Sequence, residues 1–463
     1  MAFLALGLIL FGIKLLVIAR YGSATPYWDQ WDMEAANLYR PFLEGTWMLG
    51  QLVAPHNEHR VVTTRLLQIN GLWNPLLEMI VNALVHVVTI LAVAGLLLHA
   101  LGKRAAGPLL FFTLVLFSLP YGWDNTVTAC NAHFYFVLLF SVLALFLLIE
   151  KTIFTPLWSL GLLAGVLAFF SLASGIFALA AVAAVFGSQY FLSVDRSWKK
   201  AIVILALMFF VLLGIVFTPV IAGHVALKAH SIKQFLAAFI NLMSWPLPGN
   251  FFWFLVRNAP SLFFCGALFF VRPQVNDRRW FLLGVIIWTS VQGASIAYGR
   301  VDGYLASRYL DLFAFSVLIN FACLLDQDSM NNIFQRIIKA VWTALMLVAL
   351  GWYCWKNVPQ QLAEKQRTTI AQTINVQNYQ RSGDINDLKN KPFQEIPYPD
   401  PTRLAMLLSS PTLQKILPTS IQKPANGTSV SVGRLDGVVD WVLSHALLFI
   451  VLGVVIALMA LIC

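Results

Sequence analysis

Long apolar runs recur along the whole chain, and they constrain its fold more than any other feature. Hydrophobic residues make up 59% of the sequence and the mean hydropathy is +0.75, values that exclude an ordinary water-soluble domain. About twelve runs have a length that suits a helix crossing a bilayer. They lie at 3–20, 79–101, 107–120, 134–150, 157–171, 175–192, 201–221, 251–271, 280–298, 310–325, 339–355 and 442–462. The sequence therefore predicts an all-α polytopic membrane protein.

Basic residues in the short loops predict the orientation of these helices. The basic residues of alternate short loops are Lys103, Arg104, Lys151, Arg196, Lys199, Lys200, Arg272, Arg278, Arg279, Arg336 and Lys339. Cytoplasmic loops carry an excess of Lys and Arg, so we expect this side and both termini to face the cytoplasm. The loops expected on the outer side of the membrane are 21–78, 121–133, 222–250, 298–309 and 356–440. The net charge of +10 is dispersed, so nucleic acid is not an expected partner, whereas membrane lipids are.

Three regions are predicted along the chain. They are a transmembrane core at 1–355, an extracytoplasmic loop or small cap at 356–440 and a final transmembrane helix at 441–463. The prolines of the middle region exclude one long helix there. Two short helices are expected instead, at 402–409 and 412–417. The large loop at 21–78 holds the residues best suited to chemistry.

Acids and aromatic residues are concentrated at the start of this first loop, from Trp28 to Asp32. Asp29 and Asp32 are three positions apart, so they would share one face of a helix. A carboxylate in a water-poor cleft can act as a general base toward a hydroxyl group. Asp also favours the N-cap of a helix, here one that runs to about Glu44, so catalysis and capping both stay open. Trp28 and Trp31 are candidate substrate contacts.

A second polar run in the same loop is His56, Asn57, Glu58, His59 and Arg60. Arg60 can make a bidentate contact with a phosphate group, and His59 can add a hydrogen bond to it. His56 and Glu58 are candidate substrate-binding residues. Histidines next to a carboxylate can also hold a metal, but this spacing is weak support for one. The alternative is a helix start capped by Asn57, with the helix running to about residue 70 on the membrane surface.

A third polar constellation lies at the ends of two later apolar runs. Arg300, Arg308 and Tyr309 are its candidate ligand-binding residues. Charged groups at membrane depth are costly and usually have a partner or a function. We expect Arg308 to bind an anionic ligand; the alternative is an ion pair with Asp302 or Asp311.

Asp124 belongs to a less specific polar stretch between Trp123 and His133. These residues could line a sugar site through hydrogen bonds and aromatic stacking. A loop anchored by interfacial aromatic residues explains the same pattern nearly as well.

The chain resembles the GT-C superfamily of polytopic membrane glycosyltransferases, which use polyprenyl-phosphate sugars on the outer face of the membrane. The resemblance covers most of the chain as architecture: a first helix, a large outer loop with membrane-lying helices, many spans and a late outer loop. Its specific part is the acidic run 28–32, which occupies the place of the catalytic acid in this family. The chain lacks the adjacent acidic pair of several GT-C families, so the choice between Asp29 and Asp32 stays open.

This resemblance implies a direct displacement at the anomeric carbon of the donor sugar. One of the two aspartates would deprotonate the hydroxyl of an envelope glycan or protein acceptor. Arg60 and Arg308, with Arg300 and His59, would stabilise the departing lipid phosphate, because positive groups act best where negative charge develops. No cofactor is required on this mechanism; a divalent metal is optional and no residue is assigned to it.

Two other functions remain open from the sequence. A transporter or lipid flippase would also need many spans and buried charge, but it favours charge near the bilayer midplane and inverted repeats. A glycan ligase or polymerase that uses a lipid-diphosphate donor would share the arginines and the long outer loop. The acids directly after the first apolar run favour the glycosyltransferase.

Overall fold

The chain is built almost entirely of helices. The computed structural model describes residues 1–68, 73–326, 333–423 and 435–462. These residues contain no β-strand, and their one isolated antiparallel bridge joins His56 to His59. The prediction of an all-α chain is confirmed.

Fourteen α-helices of nine residues or more form the body of the described chain. They are α1 Ala2–Tyr21, α2 Pro75–Leu101, α3 Ala106–Ser118, α4 Ala132–Glu150, α5 Pro156–Ser171, α6 Phe177–Phe191, α7 Trp198–Phe217, α8 Ile232–Ser244, α9 Phe251–Val271, α10 Arg279–Gly299, α11 Ser307–Asp326, α12 Ile333–Ser382, α13 Asp436–Ser444 and α14 Ala446–Ile462. A π-helix at Gln30–Tyr39 and short helices at Val62–Gln68, Pro401–Leu408 and Pro411–Gln414 lie in the connecting segments.

Ten helical segments in the described ranges are long and apolar enough to cross a membrane. Helices α13 and α14 together form an eleventh candidate that is bent by 48°. With 16 residues, α5 is shorter than the length that usually spans a bilayer. All twelve apolar runs are therefore helical and the chain is a multi-pass membrane protein, while the count of twelve crossings stays a prediction.

Helix α12 extends well beyond the position expected from the sequence. The prediction ended this helix at residue 355, yet it continues to Ser382 and comprises 50 residues. Val358 and Leu362 are buried one turn apart on its inner face, so the polar-looking segment is amphipathic rather than loop-like. The helix ends before Gly383, which adopts a positive φ of 71° that suits glycine.

The helices of the first loop also differ in detail from the prediction. The first begins after Asp29 as a π-helix and ends at Leu43, close to the expected end at Glu44. Gly45 follows with a φ of 68°, as the prediction of a glycine stop requires.

The second predicted helix does not begin at Asn57. The backbone N–H and C=O groups of His56 and His59 pair with each other across a tight turn. Asn57 takes a positive φ of 51° in this turn, a conformation that Asn tolerates better than most residues. The helix starts only at Val62, and its predicted end near residue 70 lies outside the described residues.

The segment 383–423, which we call the cap, packs against the described part of the first loop over one end of the helix bundle. The cap and the first loop share a small apolar core in which Trp31 packs on Trp73 at 5.1 Å between ring centroids, next to Leu404 and Leu408. The Trp28 backbone N–H donates to the carbonyl of a cap proline at 2.7 Å. The cap holds the acidic run against the ends of the spanning helices.

Candidate functional site

Asp29 stands at the entrance to the π-helix but does not cap it. No side-chain hydrogen bond joins its carboxylate to the first turn. The preceding residue, Trp28, has a φ of 49° and stacks edge-on against Phe393 of the cap. This turn leaves 52% of the Asp29 side chain exposed. The carboxylate is therefore available for contacts beyond its own helix.

Positive and polar groups from distant segments surround the Asp29 carboxylate. His56 Nε2 lies 3.4 Å from it. Desolvation alone would raise the pKa of Asp29, but the His56 contact and the electrostatic influence of His133 and Arg308 outweigh it. The net effect lowers the pKa of Asp29 below its ordinary value, so this carboxylate is ionised at neutral pH and can accept a proton.

Arg308 occupies the first turn of α11 beside this carboxylate. Its guanidinium lies 3.9 Å from the carboxylate of Asp124, and 49% of its side chain is exposed. The Asp124 backbone N–H donates to Ser307 Oγ at 3.2 Å, and Asn125 donates to the Arg308 carbonyl at 2.8 Å. The contact between the segment 123–127 and α11 thus positions Arg308. The structure places Arg308 against Asp124 rather than in the ion pairs with Asp302 or Asp311 that the sequence left open.

A second charged cluster joins the first loop to α10. Glu58 accepts a hydrogen bond from Arg300 at 3.2 Å and lies 2.6 Å from His224 Nδ1. Burial would raise the pKa of Glu58, but Arg300 and His224 together lower it well below its ordinary value. Glu58 is therefore the anionic centre of this cluster, and it orients Arg300.

His59 lies next to this cluster as a neutral side chain. Its Nδ1 accepts the backbone N–H of Ala173 at 3.3 Å. Burial lowers the pKa of His59, and the positive charge of Arg300 adds to the effect even though Glu58 opposes it. His59 can therefore offer a hydrogen bond to a ligand but contributes no positive charge at neutral pH.

A cavity of about 1000 Å³, counted with its open mouth, connects these two clusters. Its charged lining consists of the acids Glu58 and Asp311 and the cations Lys228, Arg300 and Arg308, and its other polar residues include His59 and Tyr309. Its apolar wall includes Phe134, Val137, Leu138, Leu172, Ile296 and Leu312. Three cationic side chains at the rim of an apolar cavity suit a ligand with an anionic head and a hydrocarbon tail.

Asp32 is held away from this cavity by the cap. Arg403 donates two hydrogen bonds to one oxygen of its carboxylate, and the Tyr398 hydroxyl donates to the other. Both oxygens are thus occupied, and the arrangement fastens the segment 383–423 to the π-helix. Asp29, whose carboxylate contacts His56 and interacts electrostatically with Arg308, is the better placed of the two acids.

Arg60 does not line the cavity. It donates to the backbone carbonyls of Val53 and Phe217, at 2.9 and 3.2 Å. Arg65, on the next helix, donates in the same way to three carbonyls of residues 51–54. Both arginines satisfy loop backbone groups here, so among the described residues the cationic rim consists of Arg300, Arg308 and Lys228.

Trp31 is fully buried in the core that the first loop and the cap share, and its indole N–H donates to the Pro26 carbonyl at 3.0 Å. It therefore offers no surface to a substrate in this structure, whereas Trp28 remains partly exposed. In the described ranges, no group of three or more His, Cys, Asp or Glu side chains has a geometry that could hold a metal ion.

His224 is the site residue that the sequence prediction missed. It precedes Lys228 in the loop 222–250, where no motif singles it out. Its partner Glu58 is 166 positions away, so no spacing in the sequence connects them. The one available signal is that both are titratable residues in loops expected on the same side of the membrane.

Two carboxyl groups are buried where the π-helix meets the start of α2, Glu34 on the former and Glu78 on the latter. Gln30 donates to Glu34 at 2.9 Å and to Glu78 at 3.3 Å, and the Trp73 indole donates to Glu34 at 2.8 Å. None of these hydrogen-bond partners is a cation. Burial raises the pKa of Glu34. The hydrogen bonds from Gln30, Trp73 and Gln68 lower this pKa, but by less than burial raises it.

This pair predicts a pH-dependent stability. The ordinary pKa of Glu is about 4.3. Above this pH the Glu34 carboxyl group loses its proton in the unfolded chain but keeps it in the folded protein. Rising pH therefore favours unfolding. Burial raises the pKa of Glu34 to about 7, so we expect the Tm of the purified protein to fall between about pH 4.5 and about pH 7. Glu34→Gln should reduce that fall by half or more. Glu44→Gln, at an exposed glutamate of the same loop, should not; an unchanged fall in Glu34→Gln would contradict the assignment of this pH dependence to Glu34.

Comparisons with known proteins give no match. No family model matches the chain, and neither the curated proteins nor the solved structures contain a significant relative.

Proposed function

We propose that this chain is an integral-membrane glycosyltransferase of the GT-C kind. It would move a sugar from a polyprenyl-phosphate donor to a cell-envelope glycan or protein. The observation that carries this proposal is the placement of an ionised, uncapped Asp29 within the electrostatic influence of Arg308, which itself lines the apolar cavity. A base and a phosphate-binding cation must lie on either side of the reacting carbon in such a transfer.

The proposed reaction is a single displacement. Asp29 takes the proton from the acceptor hydroxyl as its oxygen attacks the anomeric carbon of the donor sugar. A new glycosidic C–O bond forms, the C–O bond to the phosphate breaks, and the bonding electrons leave with the lipid phosphate. Arg308 and Arg300 neutralise the charge that accumulates on this leaving group. The acceptor proton remains on Asp29 until it passes to solvent.

The cavity fits the lipid part of such a donor. Its apolar wall between α4, α10 and α11 can pack against the first isoprene units of the chain, while Lys228, Arg300 and Arg308 face the phosphate. Arginine matches phosphate oxygens through its planar fork, and lysine adds a point charge.

We further propose that the cap and the site face the periplasm of a bacterial inner membrane, because the short loops at the opposite end carry the basic residues. Single cysteines introduced at Arg104 and Asn390 into a cysteine-free variant would test this orientation. With an impermeant reagent in cells with a permeabilised outer membrane, position 390 should label and position 104 should not. The reverse pattern would overturn the orientation.

One observation favours the transporter alternative. The side chains of Lys14, His86 and Asp311 are buried together where α1, α2 and α11 meet, with His86 Nε2 3.8 Å from an Asp311 oxygen. Buried ionisable groups between spanning helices are typical of proton or ion pathways. Asp311 is one turn from Arg308, however, so the same group also supports the floor of the proposed donor site.

A transfer assay tests the proposal directly. The purified protein in lipid nanodiscs is supplied with radiolabelled polyprenyl-phosphate sugars and with envelope glycans as acceptors. We expect labelled glycan and free polyprenyl phosphate in equal amounts, and a parallel reaction in EDTA shows whether a metal takes part. Proteoliposomes that move a labelled lipid across the bilayer without any sugar transfer would favour the flippase instead.

A further inference from the structure

A second polar cleft is lined by Trp123, the residue that directly precedes Asp124. It comprises about 790 Å³, counted with its open mouth, between the extension of α12 and the first loop. Tyr27 and Trp123 supply aromatic rings, and four glutamines, at positions 360, 361, 372 and 394, supply amides. Glutamine amides both donate and accept hydrogen bonds, so the wall complements a ligand whose hydroxyl groups do the same.

Lys365 gives this cleft a largely buried cationic side chain whose ammonium contacts an aromatic ring. Its side chain lines the cleft, yet the residue is only 9% exposed. Its ammonium lies 3.5 Å from the centroid of the Tyr27 ring, and it has neither an ion pair nor a hydrogen bond to any residue that the structure describes. A buried ammonium group normally has hydrogen-bond acceptors. A bound ligand with oxygen atoms would supply them.

Two residues that line the cleft are close in sequence to residues of the proposed site. Tyr27 lies two residues before Asp29, and Trp123 directly precedes Asp124, the partner of Arg308. Electrostatic interactions link Tyr27 with Asp29, Asp124 and Arg308. A ligand in the cleft would therefore have one end near the proposed base.

We infer that this cleft is the acceptor subsite and that its occupant is an oligosaccharide. The inference rests on the proposed function, because it assigns the second substrate of the same reaction. A sugar ring presents an apolar face that packs on Tyr27 or Trp123 and a rim of hydroxyl groups for the glutamines and Lys365. The hydroxyl at the end of the glycan would then reach Asp29 from the side opposite to the donor.

The test combines two substitutions in the cleft with one matched control. Lys365→Met keeps the length of the side chain and removes the charge, and Gln360→Ala removes an exposed amide. Gln366→Ala is the control, because Gln366 is an exposed glutamine of the same helix outside the cleft lining. Removing a buried charged hydrogen-bond donor typically weakens binding by about tenfold or more. We expect the KM for the acceptor to rise about tenfold in Lys365→Met, with an unchanged KM for the donor and no loss of Tm.

Binding is measured separately from transfer. Soluble oligosaccharides released from lipopolysaccharide and from other envelope glycans are titrated onto the Asp29→Asn protein by saturation-transfer NMR. Binding that weakens in Lys365→Met and Gln360→Ala but not in Gln366→Ala supports the subsite. Binding that is insensitive to both cleft substitutions, or no binding of any oligosaccharide, overturns it.

The two proposals can fail independently. Transfer with an acceptor KM that is unchanged in both cleft variants would overturn the subsite and leave the glycosyltransferase. Lys365-dependent oligosaccharide binding without transfer from any polyprenyl-phosphate sugar would overturn the glycosyltransferase and leave a carbohydrate-binding cleft.

Discussion

Replacement of Asp29 by asparagine is expected to slow sugar transfer by about a hundredfold or more, the loss typical of removing a general base. Asparagine keeps the shape of the side chain but cannot take the acceptor proton. Because Asp29 makes no capping hydrogen bond, the substitution should leave Tm nearly unchanged. The measurement is the turnover of purified protein in nanodiscs, together with Tm on the same sample.

Asp32→Asn is the matched control for this prediction. Both oxygens of the Asp32 carboxylate are occupied by Arg403 and Tyr398, so its loss should weaken the attachment of the cap. We expect a lower Tm and near-normal turnover per folded molecule. If Asp32→Asn abolishes transfer while Asp29→Asn retains it, the assignment of the base is reversed.

The helical architecture could be predicted because it depends on local composition. A run of about twenty apolar residues has few alternatives to a spanning helix, and each of the twelve runs is helical. The end of α12 could not be found this way. Its extension buries Val358 and Leu362 against residues that are distant in sequence. Because most of the other residues of this segment are polar, the sequence predicted a loop there.

The candidate site could be predicted only as a set of segments. The sequence indicated that acids after the first helix and Arg308 would meet at one end of the bundle, and the structure brings Asp29 and Arg308 into one electrostatic cluster. The sequence could not separate Asp29 from Asp32. What distinguishes them is that Asp32 binds Arg403, which lies 371 positions further along the chain. The partner of Glu58, His224, is equally remote.

Arg60 is a residue for which the sequence favoured a role in ligand binding that its contacts do not support. Its residue type and neighbours favour phosphate binding. Its actual partners are two backbone carbonyls, one of them at the end of α7. Backbone carbonyls at helix ends have no partner within the helix, and no residue type marks them in the sequence. An arginine that donates to such carbonyls therefore cannot be distinguished, from the sequence, from one that binds a ligand.

Arg308→Ala is expected to abolish nearly all transfer, by about a hundredfold or more, because a preorganised cation at the leaving group is a large electrostatic contribution to catalysis. Arg308→Lys keeps the charge but loses the planar fork. It should bind the donor weakly and keep part of the activity. Turnover and donor KM are measured on purified protein, with Tm recorded on the same samples.

The order of these variants separates a donor-binding role from a purely structural ion pair with Asp124. Arg308 is 49% exposed and its distance to Asp124 is 3.9 Å, so this pair should contribute little to stability. A structural role alone therefore predicts at most a small fall in Tm, with normal turnover per folded molecule. Arg60→Ala provides the comparison, because its backbone contacts predict a loss of Tm with only a small loss of turnover. Full specific activity in Arg308→Ala would remove this residue from the donor site, and equal losses in both arginine variants would return Arg60 to it.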